Sequence, residues 1–175
     1  HQVGWIGPPR TFDAVLNDFV RQSPQSIGVV QRVLHIPNFE YTLKERTANF
    51  HLIEEAVSCL TECGADVIAQ AGCNWTHCSG YNLHEMREYR SKLEEIHKIR
   101  FHLEGLCLID AMHSIGARKI AVNACYNNRC WFDGYVKLLV EDGFDIVYAD
   151  NFVGQGFFDS ETEMNAQSFI FPEQL

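Results

Sequence analysis

Short apolar runs alternate with segments of helical periodicity along almost the whole of this 175-residue chain. The run ADVIAQAG, residues 65–72, is continuously apolar apart from its Asp and Gln, which is typical of a parallel strand covered on both faces. Residues 44–63 carry apolar side chains at helical spacing, and a glycine follows as a stop signal. A long polar helix is expected at about residues 83–97, and residues 153–167 look like a loop. The repeated alternation of strand and helix predicts an α/β fold with a mainly parallel sheet.

Charge and hydropathy exclude several classes of protein. The chain carries 23 acidic and 14 basic residues, a formal net charge of −9, whereas nucleic-acid binding proteins usually present a basic face. No run of about 18 apolar residues is present, so no membrane partner is expected. The seven cysteines are an odd number and no secretory leader is visible, so we expect free thiols in a cytoplasmic protein.

Three of the predicted strands end in unusual residues. These ends are Gly7-Pro8-Pro9, Gly72-Cys73-Asn74 and Cys125-Tyr126-Asn127. The carboxyl ends of parallel strands share one edge of a sheet, which is where α/β proteins bind ligands. We therefore expect the three ends to meet at one pocket. The two prolines donate no N–H group, so the first end suits a pocket wall better than a phosphate cradle, with a rigid turn as the alternative.

Two side chains at these ends are candidates for chemistry. A thiol placed after a strand end, as Cys73 is, can have a lowered pKa and act as a nucleophile or proton carrier. The alternative is that Cys73 is a small buried hydrophobe. The Tyr126 hydroxyl is a candidate donor to a substrate carboxylate or enolate, the alternative being an aromatic lid over the core.

A metal site is disfavoured. Its ligands would come from Cys73, His77, Cys78, Cys125 and Cys130, but no CxxC pair is present. The adjacent His77 and Cys78 are awkward ligands for one tetrahedral ion, so we expect no metal. The phosphate loop, the dinucleotide fingerprint and the serine nucleophile elbow are also absent from the sequence.

Four stretches of sequence resemble, in their order, the aspartate/glutamate racemase superfamily. They are VGWIGPPRT, GADVIAQAGCNWTHCSG, GARKIAVNACYNN and EDGFDIVYADNF. The branch they resemble most is that of the maleate cis-trans isomerases and arylmalonate decarboxylases. The resemblance implies two similar flavodoxin-like α/β halves with the site in the cleft between them. Residues 1–116 would be the first half, and residues 117–175 the start of an incomplete second half.

The resemblance also implies a chemistry. It implies an enzyme without metal or organic cofactor that isomerises, racemises or decarboxylates a small dicarboxylic acid, of malonate or maleate type, through an enediolate or thiol-adduct intermediate. Counted from Asp66 without gaps, the first catalytic position of the family falls on Gly72, and glycine is the choice of the decarboxylases. Cys73 and Asn74, however, look like the Cys-Asn pair of the racemases displaced by one residue, so both alternatives stay open.

The remaining site residues follow from the same comparison. Tyr126 matches a decarboxylase tyrosine that contacts the substrate carboxylate, and Asn127 beside it joins the candidate substrate-binding residues. Pro8 and Pro9 match residues of the pocket wall, and Gly72 and Asn74 match residues that hold carboxylate or enediolate oxygens.

The second catalytic cysteine of the family has no counterpart among the seven cysteines, and the chain is expected to stop at Leu175 before reaching it. This leaves a second function open: a non-catalytic protein that binds a small carboxylate or regulates, keeping the fold without the second thiol. The sequence leaves the oligomeric state open, with a homo-oligomer as one alternative.

Overall fold

The computed structural model of the chain describes residues 1–7, 14–38, 42–77, 79–124 and 129–166. The chain forms two compact units, His1–Asp110 and Ala111–Leu175, which are described separately. The described strands of both units pair in parallel, which confirms the predicted α/β fold. The division into halves at residue 116, which rests on the resemblance, stays a prediction.

Ten helices and strands are described that begin in the first unit. They are β1 (Gln2–Gly7), α1 (Ala14–Gln22), β2 (Gly28–Val33), α2 (Leu43–Ala48), α3 (Leu52–Glu62), β3 (Val67–Gln70), α4 (Asn74–His77), α5 (Leu83–His97), β4 (Arg100–Leu103) and α6 (Glu104–Ser114). The sheet order is β2-β1-β3-β4. Because β2 lies on one side of β1 and β3 on the other, the strand order reverses between β1 and β3, as in flavodoxin-like folds.

The second unit contains a pair of parallel strands among its described residues. It consists of β5 (Lys119–Ala124), α7 (Arg129–Glu141), β6 (Asp145–Asn151) and α8 (Glu161–Ala166), together with the last turn of α6. Its core holds Trp131, Phe132, Leu138, Leu139 and Phe144. None of the described helices is long and apolar enough to cross a membrane.

Two helical predictions differ from the structure. The helix predicted over residues 44–63 is divided into α2 and α3, because the Asn49 side chain donates to the Glu45 carbonyl at 2.8 Å and competes with the backbone ladder. The segment before Gln167, predicted as a loop, contains α8. Its start is capped locally, since the Glu163 N–H donates to Ser160 Oγ at 3.1 Å.

Two glycines bring helices close to other elements in the first unit. A Cβ on Gly4 of β1 would lie 3.2 Å from Leu60 Cβ of α3 and 2.9 Å from Ile68 Cγ1 of β3. A Cβ on Gly105 of α6 would lie 2.7 Å from both Cβ and Oγ1 of Thr76 in α4. Thr76 is completely buried, so α4 is held against α6 by a contact that leaves no room for a methyl group.

We therefore expect Gly105→Ala to destabilise the protein. Helix propensity alone favours alanine by about 0.5–1 kcal/mol, but overpacking a tight contact costs about 1–3 kcal/mol. Urea unfolding followed by circular dichroism measures the difference. An unfolding midpoint equal to or above that of the unmodified protein would show that α4 and α6 are not in close contact.

Candidate active site

The carboxyl ends of β1 and β3 lie side by side. Ile6 is paired with Gln70, and the Ala71 N–H continues the ladder by donating to the Ile6 carbonyl at 2.9 Å. Gly7 and Gly72 are therefore at the same edge of the sheet. The next strand after β1 lies on one side of this pair and the next strand after β3 lies on the other, which makes this the switch point where open α/β sheets bind ligands. Pro8 and Pro9 lie outside the described residues.

Gly72 turns the chain out of the sheet with a backbone conformation that side chains disfavour. Its φ is +98°, and a Cβ at this position would lie 3.3 Å from Asn74 Oδ1 and 3.6 Å from Gln70 Nε2. A cysteine at position 72 would be strained in this backbone. The turn therefore suits the glycine that is present, and whether Gly72 or Cys73 occupies the first catalytic position stays open.

Two side chains that the sequence prediction missed hold this turn. The Gly72 N–H donates to the Glu104 carboxylate, and Glu104 is the first residue of α6, directly after β4. The Gln70 amide donates to the Ala71 carbonyl, and at 3.2 Å to the Gly72 carbonyl. The Gly72 N–H group is thus bonded within the protein, and the predicted role of Gly72 in binding substrate stays a prediction.

Cys73 and Asn74 follow as the start of a single helical turn. The Trp75 N–H donates to the Gly72 carbonyl at 3.1 Å, and the Thr76 N–H donates to the Cys73 carbonyl at 2.9 Å. Cys73 and Asn74 are both half-buried, whereas Trp75 and Thr76 have no exposed surface. The turn therefore buries its last residues in the protein and leaves the thiol and the amide partly open to solvent.

A buried cation lies against this turn. The Arg46 guanidinium of α2 is 4.2 Å from the centroid of the Trp75 ring, and only 1% of Arg46 is exposed. Phe50 contacts the same indole, with 6.2 Å between ring centroids. A cation stacked on an aromatic ring away from water is stabilising. This contact holds Trp75 and the turn in place, and it puts the positive charge of Arg46 close to the turn.

Tyr89 extends this aromatic cluster. Its ring centroid is 4.9 Å from that of Phe50 and 5.9 Å from that of Tyr81. Burial, and to a smaller degree the charge of Glu54 and the neighbouring Tyr81, raises the pKa of the Tyr89 hydroxyl well above its usual value. Tyr89 is consequently a neutral packing residue at physiological pH, not a base.

None of the five described cysteines forms a disulfide. Cys63, Cys107 and Cys130 are exposed, and Cys59 and Cys73 are half-buried. Although Cys107 is exposed as a residue, partial desolvation of its thiol, followed by the Asp110 carboxylate, raises the pKa of that thiol, and Arg90 opposes the effect. Cys78 and Cys125 lie outside the described residues. In the described part of the chain, no three His, Cys, Asp or Glu side chains are grouped to hold a metal ion.

Only part of the third predicted strand end is described. Cys125, Tyr126 and Asn127 lie outside the described residues, so their placement in a site stays a prediction. At the described end of β5, Asn123 Oδ1 accepts from Gln155 Nε2 at 2.7 Å. Arg129 at the start of α7 is paired within its own unit, to Asp133 at 2.9 Å and to Asp150 at 3.3 Å.

No family model matches the sequence, and no curated protein matches it either. Solved structures do match it. The fold is that of maleate isomerase and arylmalonate decarboxylase. The maleate isomerase Iso of Pseudomonas putida S16 superimposes with a TM-score of 0.69 at 17% identity, over 86% of this chain and 63% of that one.

Two further solved structures are similar. A Nocardia farcinica maleate cis-trans isomerase mutant with a covalently bound succinylcysteine intermediate gives a TM-score of 0.70 at 15% identity, over 86% of this chain and 62% of that one. A liganded mutant of arylmalonate decarboxylase gives a TM-score of 0.72 at 12% identity, over 86% of this chain and 61% of that one. The chain thus spans slightly less than two thirds of the length of these proteins.

The raised pKa of Cys107 gives a test of the thiol environments. Removing the carboxylate in Asp110→Asn lowers the pKa of Cys107, so more thiolate is present at a given pH and alkylation is faster. We expect limiting iodoacetamide at pH 8 to label Cys107 faster in this variant and Cys73 at an unchanged rate, as read by peptide mass mapping. An unchanged labelling rate at Cys107, or faster labelling of both thiols, would show that Asp110 does not specifically raise the pKa of the Cys107 thiol.

Proposed function

We propose that this chain carries the Cys73 side of the active site of a cofactor-independent enzyme. The substrate is a small dicarboxylic acid of maleate or malonate type, and the reaction is an isomerisation, a decarboxylation or a racemisation. The observation that carries the proposal is the position of Cys73: it follows a glycine turn at the switch point of the sheet. Likeness of fold supports the class of enzyme, and the residues of the site supply the chemistry.

The thiol has a direct role on a maleate-type substrate. The Cys73 thiolate adds to one alkene carbon, and the displaced electron pair moves onto the neighbouring carboxylate as an enediolate. Rotation about the new single bond and collapse of the enediolate then break the C–S bond and regenerate the thiolate. The succinylcysteine of the Nocardia farcinica protein is the related covalent species in a protein of the same fold.

A malonate-type substrate would use the same loop differently. When the C–C bond to one carboxyl group breaks and carbon dioxide leaves, the electron pair of that bond moves onto the remaining carboxylate as an enediolate. A protonated thiol then donates a proton to the carbon. In both reactions the negative charge develops on carboxylate oxygens, which preorganised donors stabilise. Asn74 beside the thiol and the Tyr126 hydroxyl, which we take from the resemblance, are the donors we assign to them.

Glu104 acts as a positioning residue in this proposal. Its carboxylate accepts the Gly72 N–H, so it connects the end of β4 to the loop that carries the thiol. A bond between an N–H group and a carboxylate is stronger than one between neutral groups. This bond fixes the direction in which Cys73 leaves the sheet.

Proton NMR in heavy water distinguishes the reactions. The full-length protein is incubated separately with maleate, a 2-arylmalonate and aspartate. Isomerisation converts the maleate signal to that of fumarate, decarboxylation yields an arylacetate, and racemisation exchanges the α-proton for deuterium. Saturable binding of one of these acids without any turnover would instead support the non-catalytic carboxylate-binding alternative, and neither binding nor turnover would refute both.

We expect Cys73→Ser and Asn74→Ala each to lower turnover of the true substrate. Removing a positioned donor typically costs about 10²–10³ in rate, and loss of a positioned acid or base costs about 10²–10⁴. Cys63→Ser, at the exposed end of α3, is the matched control and should retain full activity. Equal activity in Cys73→Ser and in Cys63→Ser would place the reacting thiol elsewhere.

The positioning role of Glu104 has its own test. Glu104→Ala removes the acceptor of the Gly72 N–H, so we expect at least a roughly tenfold loss of turnover, in line with the loss of a charge-assisted hydrogen bond. Glu104→Gln keeps a side-chain oxygen at the same reach and should restore most of that loss. If both variants are equally impaired with unchanged melting temperatures, the negative charge itself and not the hydrogen bond is required.

A further inference from the structure

A cavity lies in the first unit, beside the beginning of β4. Its volume is about 510 Å³, and it is lined by Arg90, Glu94, Lys98, Ile99, Arg100 and His102. Arg100 is the first residue of β4, whereas Glu104 of the candidate active site follows the last. The cavity therefore opens near the amino end of a strand whose carboxyl end belongs to the candidate active site.

The cavity has an excess of positive charge in a protein whose formal net charge is −9. Three of its side chains are permanently cationic and one is an imidazole, against a single carboxylate. That carboxylate, Glu94, is occupied: its Oε1 accepts the Phe101 N–H at 3.0 Å and so caps the outer edge of β4. The excess of positive charge is therefore local and is not neutralised by Glu94 alone.

The cationic side chains are poorly compensated. Within the described part of the chain, Lys98 and Arg100 form no ion pair, and Arg90 approaches Asp110 only at 3.9 Å. Three quarters of the Arg90 side chain is buried, and its Nε is buried without a hydrogen-bond partner among the described residues. The Nε atom itself has no exposed surface, but Arg90 lines the cavity, and an anion there would stabilise a guanidinium charge that is largely removed from water.

The backbone at Lys98 is a second and independent observation. Helices α3, α6 and α7 are each followed by a glycine of positive φ, namely Gly64, Gly116 and Gly143. At the end of α5 the left-handed position is occupied by Lys98, with φ +53°. Glycine is the ordinary residue there and a side chain carries strain, so the chain holds a cation at the cavity where α3, α6 and α7 use glycine.

We propose that this cavity binds a small phosphate-bearing molecule. Guanidinium groups match phosphate oxygens with paired, charge-assisted hydrogen bonds, and a lysine ammonium adds a compact point charge. Arg90 supplies a largely buried guanidinium group. Arg100 and Lys98 supply charges that form no ion pair among the described residues, and His102 supplies an imidazole. The site is separate from Cys73, so its ligand is a regulator or a second substrate and not the dicarboxylic acid.

Isothermal titration calorimetry at constant ionic strength tests the proposal, with pyrophosphate as the probe. We expect saturable binding of one equivalent. Citrate, a carboxylate polyanion of similar charge, is titrated under the same conditions and should bind more weakly by roughly tenfold, the loss expected when paired guanidinium contacts fit poorly. Citrate binding as tight as that of pyrophosphate would overturn the assignment of a phosphate ligand.

Substitutions locate the binding site. Lys98→Gly removes a cation from a position that favours glycine, so we expect an unchanged or raised melting temperature together with an affinity for pyrophosphate roughly tenfold lower. Arg100→Thr, at an exposed strand position, should lower the affinity similarly. Lys92→Ala removes an exposed lysine of α5 that does not line the cavity. This variant should bind pyrophosphate with the affinity of the unmodified protein.

Three further outcomes would overturn the proposal. One is the absence of saturable binding at millimolar pyrophosphate. The second is an affinity for pyrophosphate in both Lys98→Gly and Arg100→Thr that equals that of the unmodified protein, which would place the anion elsewhere. The third is an equal loss in Lys92→Ala, which would show that the protein responds to total charge and not to this cavity.

Discussion

The parallel pairing of β1 with β3 is the constraint on which the candidate active site depends. Because Ile6 is paired with Gln70, the two strands end at the same height and their following loops start side by side. Along the chain, β1 is followed by β2 on one side of the pair, and β3 by β4 on the other, so the strand order reverses between them. A crevice at this point is a consequence of strand order, and the residues on either side of it are the ones available for chemistry.

Much of the fold was predictable because hydrophobic periodicity determined it. The 15-residue helix α5 begins and ends where the sequence pattern places it, since Asn82 and Glu85 form a capping box at its start. The exceptions have local causes. Asn49 divides a helix through a side-chain hydrogen bond that hydrophobic periodicity cannot reveal. Helix α8 is short and polar, so its cap at Ser160 was the only sequence signal for a helix there.

The site was only partly predictable, because its contacts join residues distant in sequence. The position of Cys73 at a strand end could be inferred from the apolar run that precedes it. The link from Gly72 to Glu104 could not, since it spans 32 residues and depends on β3 lying beside β4. Glu104 does follow a strand directly, so applying the strand-end rule to β4 as well would have included it.

Trp75 gives the candidate site an optical property. Its indole is completely buried two residues after Cys73, with the Arg46 guanidinium over one ring face and Phe50 nearby. The emission of an indole responds to charge and polarity in its immediate surroundings. Any event that moves the turn at Cys73 therefore also changes the environment of a native fluorophore, so the protein carries its own reporter of that loop without a label being attached.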